Sequence, residues 1–348
     1  KLISSASNGC RCKILFMKIA IVKLSALGDI VHAMVVLQFI KKYNQKIEID
    51  WIVEESYKGL LEFNPNISKV HVVNIKKIKK KKSFYLLFNE LRRLRNFGPY
   101  DVVLDMQGLI KSAIISRFIP SETTIGFDKF SIRERVASIF YNKTFNFAYD
   151  KNVIERNFEL IKFALDFPFK IEEIGNKLPF LHSNHKYLNA RLSNIKKNII
   201  LIPGASFLSK RYPVKSFVEL INLLDANYIV IWGSEEEKFL ADKIKILAPK
   251  VNICEKLSIK NLISLISQID LVIGPDTGPT HMAWALDRPS LTLFGSTPGY
   301  RNAFTTKINR IIESKSDVNP YRINKNDYSI NDISVEEVVK KAKKLLNE

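Results

Sequence analysis

Short apolar runs alternate with amphipathic stretches along this chain, and that alternation restricts the fold more than any other feature. The first run, "KIAIV" (18–22), is almost wholly apolar, which is typical of a strand buried on both faces. The stretch 30–43 that follows has apolar residues at helical spacing. Further strands are predicted at 47–53, 70–75 and 100–108, and helices near 83–96, 109–117, 132–140 and 152–166. Strands that alternate with helices predict a parallel, doubly wound α/β sheet.

The alternation is interrupted over 167–196, which contains Pro168, Gly175 and Pro179 and predicts a connection between two domains with room for one short strand. It resumes with strands predicted at 198–204, 228–234, 270–276 and 289–295, and helices at 214–225, 235–247, 258–268, 278–286 and 334–347. A chain of 348 residues also exceeds the usual size of one domain. We therefore predict two domains with a cleft between them, over 17–175 and 176–333. The last stretch, 334–348, predicts a helix that is free to pack back on the first domain.

The first sixteen residues do not have the pattern of a secretory signal. Residues 1–16 lack the apolar core and the cleavage site of a secretory signal, and we interpret them as a leader or a non-native extension before Met17. No window reaches the ~18 uninterrupted apolar residues that a membrane-spanning helix needs. Three cysteines in so long a chain indicate no disulfide framework, which is typical of a reducing cytoplasm.

The formal net charge of +19 is unusual. Such an excess indicates an acidic partner, namely nucleic acid, an anionic membrane surface or a phosphorylated substrate, although a Lys-rich composition alone would also produce it. The densest run is "KKIKKKK" (76–82), followed by Phe84, Tyr85 and Phe88. It predicts either a solvated loop or an anion-binding surface. Nucleic acid is the weaker alternative, because basic and aromatic residues do not interleave elsewhere and no nucleic-acid-binding module is found.

Polar motifs follow three strands of the first predicted domain. In "KLSALGDIVHA" (23–33), Asp29 lies at or near the start of a helix, where it is either a helix cap or a general base. Glu54 and Glu55 end the next strand. The third motif, "DMQGLIKSA", provides Asp105, Gln107, Gly108, Lys111 and Ser112 where a strand becomes a helix. The carboxyl ends of parallel strands meet at one edge of a sheet, so these motifs predict a polar pocket.

Two motifs in the second predicted domain suit an anion. "PGASFLSKRYP" (203–213) joins a strand to a helix through small residues and then Lys210, a combination that suits a diphosphate unless the loop is only a basic surface turn. In "GPDTGPTHMAWAL" (274–286), Asp276 ends a strand and His281 lies in the first helical turn. The partial positive charge of a helix start attracts anions, so we expect His281 to contact a ligand rather than to be a core histidine. One of Glu235–Glu237 is suited to ribose hydroxyls.

Several chemistries lack their sequence patterns. The first strand is not followed by G-x-G-x-x-G, which argues against a dinucleotide oxidoreductase, and no G-x-x-x-x-G-K-[ST] is present for a P-loop NTPase. No Cys and His cluster has zinc-ligand spacing, and no G-x-S-x-G elbow is present.

The three motifs "VKLSALGDIVHA", "PGASFLSKRYP" and "GPDTGPTHMAWAL", in this order and spacing, resemble those of the ADP-heptose:lipopolysaccharide heptosyltransferases. "DWIVEES" and "DMQGLIKSA" are most similar to the heptosyltransferase I branch. The resemblance implies a GT-B fold, which is an α/β architecture of two facing Rossmann-like domains with a central cleft. It also implies inverting transfer of L-glycero-D-manno-heptose from ADP-heptose to Kdo of lipid A–Kdo, with no metal or other cofactor. A later heptosyltransferase, of type II or III, is the alternative on the same fold.

The resemblance assigns roles to individual residues. It implies that Asp29 is the base that takes the proton from the Kdo hydroxyl. Should Asp29 be only a cap, the polar motifs themselves make Glu54 and Asp105 our next candidates. The donor-binding residues are Ser206, Lys210, Glu236, Asp276, Thr277, Gly278 and His281. The acceptor-binding residues are Glu54, Gln107, Lys111, Lys76, Lys79 and Arg133. The implied partners are ADP-heptose, Kdo–lipid A and the anionic cytoplasmic face of the inner membrane, where a cytoplasmic enzyme binds peripherally, and not nucleic acid.

Overall fold

A computed structural model describes residues 17–184, 187 and 191–347. The chain divides into two compact units. The first runs from the start of the described residues to Lys151 and includes Glu155–Lys177, and the second contains Asn152–Ile154 and everything from Leu178 onward. This division lies close to the boundary predicted after residue 175. The leader predicted at 1–16 lies outside the described residues.

The first unit is built on a six-stranded parallel sheet in the order β3-β2-β1-β4-β5-β6. Its strands are β1 (Lys18–Val22), β2 (Glu48–Glu54), β3 (Lys69–Val73), β4 (Tyr100–Asp105), β5 (Ser121–Phe127) and β6 (Lys143–Phe145). The side chains of Ile19 and Ile21 in β1 are fully buried, as the apolar run predicts. The strand alternation therefore predicts β1 to β4, whereas β5 and β6, which carry more polar residues, were not predicted.

The helices of the first unit are α1 (Leu27–Met34), α2 (Val36–Tyr43), α3 (Ile75–Lys81), α4 (Phe84–Leu94), α5 (Ile110–Phe118) and α6 (Val153–Leu165). Three predictions are corrected here. The stretch 30–43 is two helices separated by Val35, the helix predicted at 132–140 is a 3₁₀ helix over Arg135–Phe140, and the lysine run is helical rather than a loop. Within 167–196 the described residues form a 3₁₀ helix, Ile171–Asn176, and no strand.

The second unit has its own six-stranded parallel sheet, in the order β12-β11-β10-β7-β8-β9. The strands are β7 (Asn198–Leu201), β8 (Asn227–Val230), β9 (Asn252–Ile253), β10 (Leu271–Pro275), β11 (Ser290–Phe294) and β12 (Asn309–Glu313). The helices are α7 (Val214–Leu223), α8 (Glu235–Leu247), α9 (Ile259–Ile266), α10 (Gly278–Ala285), α11 (Gly299–Asn302) and α12 (Val335–Asn347). Of these elements, β9, β12 and α11 were not predicted.

The C-terminal helix α12 belongs to the second unit. Its apolar residues recur at helical spacing, and Val338, Ala342 and Leu345 are buried in one core cluster with Phe217 and Leu220 of α7. The buried face of α12 therefore packs in the core of the second unit, and the predicted option that the helix packs back on the first domain stays a prediction. None of the helices in the described part of the chain is long and apolar enough to cross a membrane.

Candidate functional site

Asp29 stands where the first strand gives way to the first helix. It is the third residue of α1, and its Oδ2 atom accepts a hydrogen bond from the backbone N–H of Ala26, 3.0 Å away. The residue is exposed, and its other carboxylate oxygen accepts no hydrogen bond from a described residue. Asp29 thus caps the helix with one oxygen and presents the second to solvent, so the cap and the base are compatible roles.

The turn that carries Asp29 is held by the end of the neighbouring strand. Gln107, just after β4, accepts hydrogen bonds from the backbone N–H groups of Leu24 and Ser25 through its Oε1 atom, both at 3.1 Å. Lys111 Nζ lies 3.5 Å from Ser25 Oγ. The structure therefore brings together two of the predicted acceptor-binding residues beside Asp29, and Gln107 also fixes the conformation of the turn.

Glu54 ends β2 and is only 2% exposed. Its Oε1 atom accepts a hydrogen bond from the backbone N–H of Lys76 at 3.1 Å. Burial raises the pKa of Glu54, while that hydrogen bond and the charges of Lys76 and Lys111 oppose the rise. The Lys76 ammonium lies 3.2 Å from the Tyr57 hydroxyl and 4.5 Å from the centre of its ring. Glu54, Lys76 and Lys111 are therefore neighbours.

Asp105 is fully buried and accepts four hydrogen bonds. The donors are the Tyr141 hydroxyl at 2.7 Å, the Ser112 hydroxyl at 2.8 Å, and the backbone N–H groups of Gln107 at 2.8 Å and Gly108 at 3.1 Å. Burial raises the pKa of its carboxyl group, and these bonds counteract part of the rise. A carboxylate so enclosed cannot reach a substrate hydroxyl. Asp105 is therefore a structural residue, and its place among the candidate bases is wrong.

The remaining predicted acceptor residues, Lys79 and Arg133, are exposed on α3 and before the 3₁₀ helix Arg135–Phe140. Neither side chain makes a hydrogen bond or ion pair with a described residue. Their acceptor-binding roles stay predictions.

In the second unit, Asp276 forms the centre of a buried polar cluster at the end of β10. Lys210 Nζ lies 2.8 Å from its Oδ2 atom, His281 Nε2 lies 2.9 Å from its Oδ1 atom, and the Thr297 hydroxyl donates to Oδ2 at 3.0 Å. The amide of Asn302 is 3.4 Å from Oδ2. Burial alone would raise the pKa of Asp276, but the charge of Lys210 and the hydrogen bond with His281 hold it well below its usual range.

The cluster stands at the start of α10. Thr277 precedes the helix, and the Thr280 hydroxyl donates to the backbone oxygen of Thr277 at 2.7 Å, which closes the first turn. Gly278 is the first helical residue, and Thr277 and Gly278 are both half-buried. The predicted residues Lys210, Asp276, Thr277, Gly278 and His281 thus lie together around one helix N-terminus, which favours an anion.

Thr297 and Asn302 were missed by the sequence analysis. Both lie in "GSTPGYRN", which follows β11 at the same edge of the sheet as β10. A loop rich in small residues directly after a strand is the sequence feature that would have predicted a binding loop here.

The glutamates after β8 are engaged with the loop that follows β7. Glu236 accepts a hydrogen bond from Arg211 at 2.7 Å, and this bond lowers the pKa of Glu236. Glu237 accepts from the backbone N–H of Gly233 at 2.6 Å, and its carboxylate occupies the space that a Cβ at Gly204 would need. Ser206, in the same loop, is exposed. The ribose contact predicted for Glu236 therefore competes with an existing ion pair.

Among the described residues, no group of three or more His, Cys, Asp or Glu side chains is placed to hold a metal ion.

Comparison with known proteins identifies the family of this chain. The family model described as glycosyltransferase family 9 (heptosyltransferase) matches residues 88–325. A protein of Campylobacter coli named lipopolysaccharide heptosyltransferase 1 is 39% identical over 347 residues, covering 95% of this chain and 100% of the relative. Its counterpart of the same name in Pseudomonas aeruginosa is 29% identical over 295 residues, covering 83% and 81%. The solved structure of E. coli heptosyltransferase WaaC with ADP superposes with a TM-score of 0.77 at 23% identity, covering 94% of this chain and 100% of that one.

Proposed function

Because the chain belongs to glycosyltransferase family 9, the heptosyltransferases, we propose that it transfers L-glycero-D-manno-heptose from ADP-heptose to Kdo of lipid A–Kdo in the lipopolysaccharide inner core. The family resemblance and the GT-B fold drawn from the sequence motifs are confirmed. The observation that carries the proposal is the buried cluster of Lys210, Asp276 and His281 at the start of α10. The relative at 39% identity, named heptosyltransferase 1, supports the first transfer over a later one.

The second unit would bind the donor. Negative charge develops on ADP as the bond to the sugar breaks, and the N-terminus of α10 together with Lys210 stabilises that charge without rearranging in the reaction. Asp276 stays ionised because its pKa is held low, so it fixes the direction of the Lys210 ammonium and keeps the proton of His281 on Nε2. In this arrangement Asp276 positions the two side chains that face the donor.

The first unit would bind the acceptor, with Asp29 as the general base. The exposed oxygen of Asp29 takes the proton of the Kdo hydroxyl, the hydroxyl oxygen forms a bond to the anomeric carbon of heptose, and the bond between that carbon and ADP breaks. A single displacement of this kind inverts the anomeric centre and needs no nucleophile from the enzyme. Lys111 and Lys76, both next to Glu54, are placed to meet the carboxylate of Kdo.

The proposal includes a location. We place the reaction at the anionic cytoplasmic face of the inner membrane, with the protein bound peripherally, because a net charge of +19 attracts the protein to anionic lipid.

A turnover assay with three acceptor conditions tests the proposed function. Purified protein is given ADP-heptose with Kdo–lipid A, with Kdo–lipid A that already carries one heptose, or with no acceptor. We expect ADP release and a heptosylated lipid, detected by mass spectrometry, only with the first acceptor. Transfer confined to the second acceptor would show a heptosyltransferase of type II or III. Absence of transfer to either acceptor would refute the assignment.

A further inference from the structure

A helix made almost wholly of lysine follows β3 in the first unit. In α3 and its cap, Ile75 and Ile78 are half-buried, whereas the six lysines between Lys76 and Lys82 are all exposed. The helix contains no acidic residue. Lys77 and Lys79–Lys82 form no ion pair with any residue of the described chain. The positive charge of these five lysines is therefore not neutralised by an ion pair within the described residues.

The next helix presents large aromatic side chains to solvent. Phe84 is 87% exposed, Tyr85 is 73% exposed and Phe88 is 64% exposed. These positions fall on one face of α4, and Arg92 is on the same face one turn further along. The opposite face holds Leu94, which is fully buried. Three neighbouring exposed aromatics are not explained by the packing of this unit, and such patches mark surfaces that bind something.

The two helices are continuous in the chain. Only Lys82 and Ser83 separate them, and Ser83 caps α4 by accepting a hydrogen bond from the backbone N–H of Leu86 at 3.3 Å. The exposed lysines and the exposed aromatics are therefore direct neighbours along residues 76–92, which we call the α3–α4 surface. Lysine next to exposed Phe and Tyr is the composition that favours the interface of an anionic bilayer, where the cations meet phosphates and the rings enter the headgroup region.

We propose that the α3–α4 surface is the site at which this protein binds an anionic lipid bilayer, with Phe84, Tyr85 and Phe88 inserted between headgroups. The proposal rests on the proposed function for its purpose, because a lipid-anchored acceptor lies in the same bilayer. The surface is also next to the candidate acceptor site, since the backbone N–H of Lys76 donates to Glu54 and its ammonium contacts Tyr57. Binding through this surface would bring the acceptor sugar to the edge of the sheet that carries Asp29.

Measurements of vesicle binding by the full chain distinguish insertion of the aromatic side chains from attraction by the overall positive charge of the protein. The probes are vesicles of phosphatidylcholine alone and vesicles containing phosphatidylglycerol, with binding measured by sedimentation at several salt concentrations. One variant replaces the aromatics, Phe84→Ser/Tyr85→Ser/Phe88→Ser, and a second removes charge, Lys77→Gln/Lys80→Gln/Lys81→Gln. A matched control, Phe239→Ser/Lys243→Gln, changes an exposed aromatic and a lysine on α8 of the second unit, where Phe239 is 59% exposed.

We expect the wild-type chain to bind the anionic vesicles, and each triple variant to bind them about tenfold more weakly or worse, since both charge and aromatic insertion contribute. The control variant should bind like the wild type. A Phe88→Trp variant should show blue-shifted emission on anionic vesicles, which reports transfer of the ring out of water. Unchanged binding by the aromatic variant, equal binding to neutral vesicles, or preference for DNA over anionic vesicles would each overturn the proposal.

The two proposals can fail separately. In detergent, with monomeric Kdo–lipid A, the aromatic variant should transfer heptose at the wild-type rate, because no bilayer is present. If the wild type transfers no heptose in detergent, the proposed function fails while the vesicle result stands. If transfer occurs and the aromatic variant also binds vesicles normally, only the proposed surface fails.

Discussion

Lys210 Nζ lies 2.8 Å from Asp276 Oδ2, and each of these residues is only 8% exposed. A buried ion pair stabilises a fold only where further hydrogen bonds satisfy the charges, and His281 and Thr297 supply them to Asp276. The pair also keeps the Lys210 ammonium at the start of α10. The affinity for the donor and the integrity of this cluster are therefore expected to depend on each other.

Replacement of Lys210 tests the donor site. Lys210→Ala removes a cation from the proposed diphosphate site, which is expected to weaken ADP binding by about 1.5–3 kcal/mol, or roughly 10- to 100-fold. Calorimetric titration with ADP measures the change. Lys215→Ala, at an exposed position on α7, is the matched control and should bind ADP normally. Equal ADP affinity in the two variants would place the donor site elsewhere.

The low pKa of Asp276 predicts how stability depends on pH. The folded state holds the pKa of this carboxylate below the ordinary value of 3.8, so its ionised form stabilises the fold at every pH above that value. As the pH falls below it, the unfolded state takes up a proton that the folded state does not, and the contribution is lost progressively. Asp276→Asn should therefore unfold more readily at neutral pH, and the difference from wild type should shrink in acid.

Urea unfolding at a series of pH values checks this prediction. Asp242→Asn, at a half-buried surface ion pair on α8, is a suitable control and should show little difference from wild type at neutral pH. A constant difference between Asp276→Asn and wild type from neutral pH into strong acid would show that Asp276 acts through shape rather than through its charge.

The sequence predicts the apolar strands of each sheet, including the edge strand β3, and misses the more polar ones. Runs such as "KIAIV" in β1 and "LVIGP" in β10 are apolar because both faces of these strands are buried, and that composition can be read directly from the sequence. The strands β5, β6 and β12 carry more polar residues and are defined by the partner to which they bond, so no local pattern identifies them.

The candidate site residues also differ in whether the local sequence or a distant partner defines their surroundings. Asp29 and Asp276 stand at junctions of a strand and a helix, where the sequence shows them as polar residues within two positions of a glycine. The environment of Asp105 is different, because one of its donors, Tyr141, is 36 residues away in the chain and no local pattern links the two. The sequence could therefore suggest Asp105 as a base but could not show that it is enclosed.

Tyr141 makes that enclosure testable. Tyr141→Phe removes one donor from the buried Asp105 carboxylate and is expected to cost about 1–3 kcal/mol of unfolding free energy. Gly126→Ala should be destabilising as well, because a Cβ at this position would lie 2.4 Å from the Tyr141 ring. Chemical denaturation measures both changes. Tyr43→Phe, at a residue that is 40% exposed, is the control. Wild-type stability in Tyr141→Phe would contradict the structural role of Asp105.

Glu54 predicts a pH effect of the opposite sign. Burial raises the pKa of this carboxyl group above the ordinary value of 4.5, so the ionised form is less favourable in the folded state than in the unfolded state. Glu54→Gln keeps an oxygen that accepts the Lys76 N–H and removes the buried charge. It should therefore be more stable than wild type at neutral pH, with the gain vanishing below about pH 4.5 as Glu54 becomes protonated. Thermal unfolding of Glu54→Gln and wild type at pH 7 and pH 4 measures the gain in stability. An equal gain at both pH values would contradict the prediction.

A single substitution at Asp29 distinguishes its role as a helix cap from its role as a general base. Asp29→Asn keeps an oxygen for the Ala26 N–H, so the cap and the thermal stability should be retained. Asn cannot take a proton, and loss of general-base assistance is expected to lower kcat by a factor of ~10²–10⁴ while ADP-heptose binding is unchanged.

Asp29→Ala is the matched variant, because it removes the cap and the base together and should lose stability as well as activity. Turnover of Kdo–lipid A near the wild-type rate in Asp29→Asn would limit Asp29 to capping α1. Glu54 would then be the remaining candidate base, since Asp105 is enclosed by its four donors.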